Sequence, residues 1–462
     1  MLFTSEVFLF LFLPFTVAVY FLAFRKNTFG KNVFLLFMSL LFYAYGEPLY
    51  VLLMIFMIAI HYIFALLITR NKNRNGWILG ICIFIDICIL GYFKYSNFII
   101  DNLNNVVHLG IKNLDVRLPI GISFYTFQSI SYVIDVYSGK VKAQRNPLYL
   151  GLYISLFPQL IAGPIVRYET IEKEIIHRKE NIKDFSLGVN RFIVGLGKKV
   201  LLANQFAIFA DAAFNATSRS VAFAWGGAIA YSLQILFDFS GYSDMAIGLG
   251  RMFGFHFLEN FKYPYISRSI TEFWRRWHMS LQTWFKDYVY IPLGGSHVKT
   301  VGRHIFNMFV VWSLTGLWHG ANWTFVIWGE MYFILLVIEK YTTLIDKLGK
   351  FSNIYTLLFV MVGWVFFRSD SISKAIAYLL SMIGFGSKGL IDSVAVEYFQ
   401  RYVLYFVLGI ICCFPIIHNM NIHLRKNKIY SCLYILVMTA ILIISIMFIF
   451  SNAYNPFIYF NF

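Results

Sequence analysis

Charge is what this sequence has least of. Only 13% of its 462 residues are Asp, Glu, Lys or Arg, about half of the roughly 25% found in soluble globular domains. Set against 59% hydrophobic residues, that shortage excludes a soluble globular chain. Cysteine is scarce as well. The five cysteines (Cys82, Cys88, Cys412, Cys413 and Cys432) all stand in apolar runs. They make no C-x-x-C pair and no disulfide framework. They read as small hydrophobes, and apolar surroundings disfavour the thiolate a nucleophile needs. Also missing is the alternation in segments of about ten residues that marks a membrane β-barrel. No basic residues precede the first apolar run and no small-residue cleavage site follows it, which argues for a retained first span over a signal peptide.

What is present is a series of long apolar runs. Residues 435–450 read ILVMTAILIISIMFIF, close to the roughly 20 residues that cross a bilayer as helix. Similar runs recur along the chain and predict an all-α polytopic integral membrane protein of about eleven spans, a single membrane-embedded domain over residues 1–462. The net charge of +16 fits basic loops such as those at 25–31, 70–74 and 423–428, which the positive-inside rule assigns to the cytoplasm. The N-terminus is then extracytoplasmic. The basic residues are dispersed between apolar runs, so no nucleic-acid partner is expected.

Several runs are interrupted in ways that matter at membrane depth. Residues 118–139 are studded with Ser, Thr, Gln and Asp, and residues 148–166 contain Pro158 and Pro164. Irregular backbone survives at that depth only inside protein or beside a water-filled cavity, so both segments read as broken or re-entrant helices. Asp86 lies mid-run, either as a contact between helices or as part of a site. Lys198 and Lys199 either snorkel from a helix end or meet an anionic donor. Asp238 and Asp244 are carboxylates of the kind hard cations favour, but with no third ligand the pattern reads as hydrogen bonding between helices, and no metal site is expected. Residues 167–183 mix both charge signs and read as a solvated cytoplasmic helix pair in which His177 is inert.

The densest chemistry lies in residues 273–320. The stretch opens FWRRWHMSLQTWFKDYVYIPLGGS and closes TGLWHG. Phe273, Trp277, Leu281, Trp284 and Tyr288 recur at helical spacing and predict one amphipathic helix with a continuous apolar face. His278 lies within it, as a site residue, an orienting partner or an interfacial structural histidine. Arg275, Arg276, Lys286 and Asp287 supply charge. His319 has apolar flanks, with Gly316 and Gly320 leaving room for close approach. A neutral imidazole there can accept a proton, as a general base must. Its alternative is a histidine bonded across helices. No G-x-S-x-G elbow appears, so the hydroxyl nucleophile belongs to the acceptor. Arg276, Asn322 and backbone amides near Gly320 are candidate donors to an oxyanion, and Trp318 and Asp287 are further candidates for substrate contact.

The runs GISFYTFQSISYVIDVYSG, QLIAGPIVR, YSLQILFDFSGYSDMAIGLGRMFGF, ENFKYPYISRSITEFWRRWHMSLQTWFKDYVYIPLGG, GLWHGANW and PFIYFNF resemble the membrane-bound O-acyltransferases, in the bacterial branch typified by the alginate O-acetyltransferase. The resemblance covers nearly the whole chain, and FWRRWH with the separate LWHG is its most specific part. It implies a helical bundle around a central tunnel, with His319 as the catalytic histidine and His278 as the second family histidine. It implies no bound cofactor. The acyl group comes from acetyl-CoA or another cytoplasmic thioester, or from an acyl carrier protein. It passes to a polysaccharide or cell-wall polymer through an extracytoplasmic serine esterase-like partner. YVYIPLGG favours acetyl over the D-alanyl group of the teichoic acid branch. The opposing class is a polysaccharide or acyl transporter, which also uses broken helices, although no related halves are visible. A scaffold of a polymer-secreting complex is a third reading. The cell membrane is the expected location.

Overall fold

Apolar runs without proline settle into helices because the bilayer offers the backbone no other hydrogen-bond partner. In the computed structural model, which describes residues 1–25, 27–70, 75–424 and 426–451, every regular element is helical and no strand occurs among the described residues. Among the described residues, eight helices are long and apolar enough to cross a membrane: Thr28–Gly46, Tyr50–Arg70, Gly76–Val107, Ile182–Asn215, Val221–Met252, Leu344–Arg368, Ser393–Cys412 and Lys428–Phe450. Val7–Leu22 and Ile372–Met382 are apolar but shorter. Lys26, most of the basic loop at 70–74, Arg425 and the PFIYFNF terminus lie outside the described residues.

The helices group into two compact units. The first comprises Met1–Phe192 and Ser243–Leu258. It contains both segments expected to be irregular. Ile122–Tyr137 is a helix buried along almost its whole length, entered through Gly121 at φ 76°. A Cβ at Gly121 would lie 2.8 Å from the Leu160 carbonyl oxygen, so the turn needs glycine on both conformational and steric grounds. The following segment breaks where its prolines stand: Pro147–Ser155 is helical, Phe157–Leu160 is one turn, and the chain then runs irregularly to Tyr168.

The mixed-charge stretch departs from expectation. Tyr168–His177 forms an amphipathic helix and His177 is exposed, as expected. Arg178 instead turns inward. Its Nε donates to Tyr20 Oη (2.8 Å), its Nη1 donates to Asn32 Oδ1, and Glu180 pairs with it and with Lys31. A buried guanidinium is tolerated only when paired and hydrogen-bonded, and these three partners do that. Asp244 is likewise paired, with Arg191 at 2.6 Å.

The second unit comprises Ile193–Tyr242 and Glu259–Phe462. Lys199 is buried and lies 2.6 Å from Asp238. Both carboxylates weighed for a metal thus hold basic side chains, and Lys199 is neither snorkelling nor awaiting a donor. Val301–His319 and Trp323–Tyr341 form a tightly packed pair. Gly316 and Gly329 set their separation: a Cβ at either would come within 2.5 Å of a carbonyl oxygen on the opposite helix.

Candidate active site

The approach to His278 is built from hydrogen bonds at helix ends. Ser269 accepts from Glu272 N (2.9 Å) and caps the five-residue helix Ile270–Trp274. Glu339 on the Trp323–Tyr341 helix adds a second cap, accepting from Ile270 N (2.6 Å), Thr271 N (2.9 Å) and Thr271 Oγ1 (2.7 Å). A carboxylate suits the positive end of the helix dipole.

The single amphipathic helix expected over 273–288 is not formed. The chain breaks at His278, which adopts φ 45°, ψ 51°, and a second helix begins at Met279. This left-handed conformation is uncommon for any residue but glycine and such outliers cluster at functional sites. Asn260 provides the compensation. Its backbone carbonyl accepts from Met279 N (3.0 Å) and its side-chain Oδ1 accepts from Ser280 N (3.2 Å), satisfying donors at the start of the new helix. The apolar face survives the break: Phe273, Trp277, Leu281, Trp284 and Tyr288 are all buried. Periodicity captured what is buried but not the change of direction.

Asn260 also sets the state of His278. The backbone N–H of Ser280 can only donate, so the atom it meets on Asn260 is the oxygen. Ser280 Oγ donates to that same oxygen at 2.9 Å, and His278 Nδ1 lies 3.2 Å from it. Nδ1 therefore carries the proton and Nε2 carries the lone pair. Burial holds this imidazole well below its ordinary pKa, because desolvation disfavours the charged ring. His278 Nε2 is buried with no hydrogen-bond partner among the described residues.

His319 ends the Val301–His319 helix, and Gly320 continues in extended conformation. Both histidines are inside the protein, His278 at 1% exposure and His319 at 3%, so His278 is not an interfacial residue. Both rings lie against the Trp318 indole, at centroid distances of 6.0 Å for His278 and 5.0 Å for His319. Phe239 meets the His278 ring edge-on at 4.6 Å. Trp328 and Phe367 lie 5.0 and 5.2 Å from His319. The result is two imidazoles in an aromatic enclosure.

The other candidates are placed differently. Arg276 is held by Glu272 (2.9 and 2.8 Å) and by the Lys262 carbonyl (3.2 Å), tying the 260–262 segment to the short helix. Asn322 caps the Trp323–Tyr341 helix, its Oδ1 accepting from Thr324 N (3.0 Å) and its Nδ2 donating to the Asp370 carbonyl (2.9 Å). Both amide atoms are thus engaged in shaping the turn after His319. Asp287 lies half-buried in the wide helical turn Lys286–Tyr290, beyond the helix that follows His278. Asn260 is the residue that reading the sequence did not single out. Its signal was present as an Asn just before the KYPY turn, inside a longer run, but nothing local links it to a histidine eighteen positions on.

Comparison with known proteins identifies the family. The family model described as MBOAT, membrane-bound O-acyltransferase family, matches residues 145–369, which include Asn260, His278 and His319. A probable alginate O-acetylase of Pseudomonas syringae pv. tomato is 44% identical over 84% of this chain and 76% of its own length. A peptidoglycan O-acetyltransferase of Helicobacter pylori is 34% identical over 100% of this chain and 98% of its own. A teichoic acid D-alanyltransferase of Bacillus subtilis is 30% identical over 53% of this chain and 65% of its own. The chain is a multi-pass membrane O-acyltransferase and belongs to the membrane-bound O-acyltransferase family.

Proposed function

We propose that this enzyme moves an acetyl group from a cytoplasmic thioester, such as acetyl-CoA, toward a hydroxyl of an extracytoplasmic polysaccharide or cell-wall polymer. A serine esterase-like partner outside the membrane would receive or relay the group, and an acyl carrier protein is the alternative source. Acetyl is favoured over D-alanyl because the acetyltransferases align over most or all of the chain and the D-alanyltransferase over half of it. The enzyme resides in the cell membrane with its N-terminus extracytoplasmic.

The observation that carries the catalytic reading is the pair of buried imidazoles on one indole, one of them with a lone pair left open. His319 takes the proton of the acceptor hydroxyl. The hydroxyl oxygen attacks the thioester carbonyl, the carbon–sulfur bond breaks, and the proton passes from the imidazolium to the departing sulfur. His278 Nε2, which can only accept, receives a hydrogen bond from a substrate N–H or O–H and fixes its position. Leaving such a buried acceptor unmatched costs about 1–3 kcal/mol, so a substrate that satisfies it is selected. Asn260 Nδ2, a buried amide donor without a partner among the described residues, is suited to the developing oxyanion.

The two roles separate in a transfer assay with labelled acetyl thioester in proteoliposomes. His319→Gln should lower transfer by about 10²–10⁴-fold, the usual contribution of a general base. His278→Asn tolerates the left-handed backbone but removes the Nε2 acceptor, and should lose roughly tenfold, about one lost hydrogen bond. Transfer near the normal rate in folded His319→Gln protein would sink the assignment of the base. Equal inactivity of the two variants would move proton transfer to His278 as well. Transport of an intact substrate without bond change would replace the enzymatic reading altogether.

A further inference from the structure

A second histidine cluster lies in the first unit, in the seam between two membrane helices. On Tyr50–Arg70 the buried residues are Met54, Met57, His61, Ala65 and Ile68, one helical stripe. On the facing helix Ile78, Cys82 and Asp86 are buried at successive turns. Cys82 and Asp86 therefore present a thiol and a carboxylate one turn apart on the same face, opposite His61. The donor atoms of His61, Cys82 and Asp86 all lie within 4.8 Å of one another, and all three residues have 0% exposure.

The hydrogen bonds show how His61 is aimed. Its Nδ1 is 2.7 Å from the Met57 carbonyl oxygen, which can only accept, so Nδ1 bears a proton. Its Nε2 faces Asp86 Oδ2 at 3.0 Å. In the neutral ring Nε2 is a lone pair, and two lone-pair atoms at that distance need a cation between them, either a proton or a metal ion. Asp86 Oδ1 is buried with no hydrogen-bond partner among the described residues, so a proton on Nε2 leaves half of the carboxylate unmatched. A histidine that anchors Nδ1–H on a backbone carbonyl and offers Nε2 is also the usual arrangement around a bound metal.

We propose that His61, Cys82 and Asp86 form a binding site for a thiophilic divalent cation of the zinc class. Thiolate and imidazole select against magnesium and calcium, which need several oxygen ligands. Zinc bonds of about 2.0–2.3 Å in a tetrahedron place ligand atoms about 3.3–3.8 Å apart, within reach of the separations here by small side-chain rotations. The charge balances. The cation replaces the proton shared by His61 and Asp86 and the thiol proton of Cys82, so two protons leave as one divalent ion enters. The cluster stays neutral overall, which is what a membrane interior demands. The bound ion clamps the two helices together.

Cobalt reports on the site directly. Full-length protein in detergent, freed of metal by chelator, is titrated with Co2+ and then with Zn2+. The expected result is a thiolate-to-cobalt charge-transfer absorption with tetrahedral d–d bands that saturates at one equivalent and is bleached by Zn2+. Cys82→Ser should abolish the charge-transfer band, and Asp86→Asn should weaken binding by at least tenfold. Cys88→Ser should leave both unchanged. Zn2+ should raise the thermal midpoint of the unaltered protein and not that of Cys82→Ser, as binding to the folded state requires. No charge-transfer band in the unaltered protein overturns the proposal without recourse to any variant. A band that persists in Cys82→Ser overturns it too, because the thiolate is then another one.

Discussion

His61 and His278 are both buried, both anchored at Nδ1 by a carbonyl-type oxygen, and yet opposite at Nε2. In His61 that nitrogen meets a carboxylate on the neighbouring helix. In His278 it meets no polar partner among the described residues. The anchor fixes which nitrogen is available, and what faces the other nitrogen fixes what the ring can do. An acid beside Nε2 makes a bonded pair that joins two helices. An aromatic enclosure beside Nε2 leaves a lone pair for a substrate. The second arrangement is costly to keep, and it is kept by the left-handed backbone at His278 and the three hydrogen bonds that converge on Asn260 Oδ1.

The largest effect should come from breaking the paired histidine. His61→Leu strands Asp86 in the membrane seam, and removing one member of a buried pair costs about 3–5 kcal/mol. The double variant His61→Leu/Asp86→Leu should recover most of that loss, read as thermal unfolding in detergent. If the single and double variants unfold alike, the pair is not what joins the helices.

A smaller effect comes from making His278 resemble His61. Asn260→Asp places a carboxylate against Nδ1, which favours the imidazolium and raises a pKa that burial now holds down. The imidazolium has no lone pair at Nε2, so activity disappears as pH falls through the raised value. The unaltered enzyme should show no such acid limb from His278 between about pH 5 and 8, whereas Asn260→Asp should lose transfer about tenfold per pH unit below its new pKa. Identical pH–rate profiles would mean that Asn260 does not govern the ring. The smallest effect is expected at His177, which is exposed. His177→Ala should change stability and transfer by no more than about 0.5 kcal/mol, and a larger loss would bring a third histidine into the comparison.

Much of this protein was legible because the bilayer is an exacting solvent. A run of apolar residues has few structural options there, so the helices and their membrane character follow from composition. The irregular segment around Pro158 and Pro164 was legible for the same reason, since proline acts locally. The close approach of backbone beside His319 was marked by Gly316. The break at His278 was hidden because the apolar period continues straight across it. Arg178 was placed on a solvated loop because charge alone does not show that Tyr20, Asn32 and Glu180 fold around it. Lys199 was given a choice of snorkelling or ligand binding because its partner Asp238 stands 39 positions away.

The sequence by itself determined a helical membrane enzyme, its family, and the two histidines on which its chemistry was expected to turn. Tertiary structure decided the state of the buried histidines His61 and His278. The available nitrogen of His278 depends on Asn260 eighteen residues earlier, and the bonding of His61 depends on a carboxylate from another helix. A side chain's identity is local, but its protonation and reach are set by whichever distant group folding brings within about 3 Å.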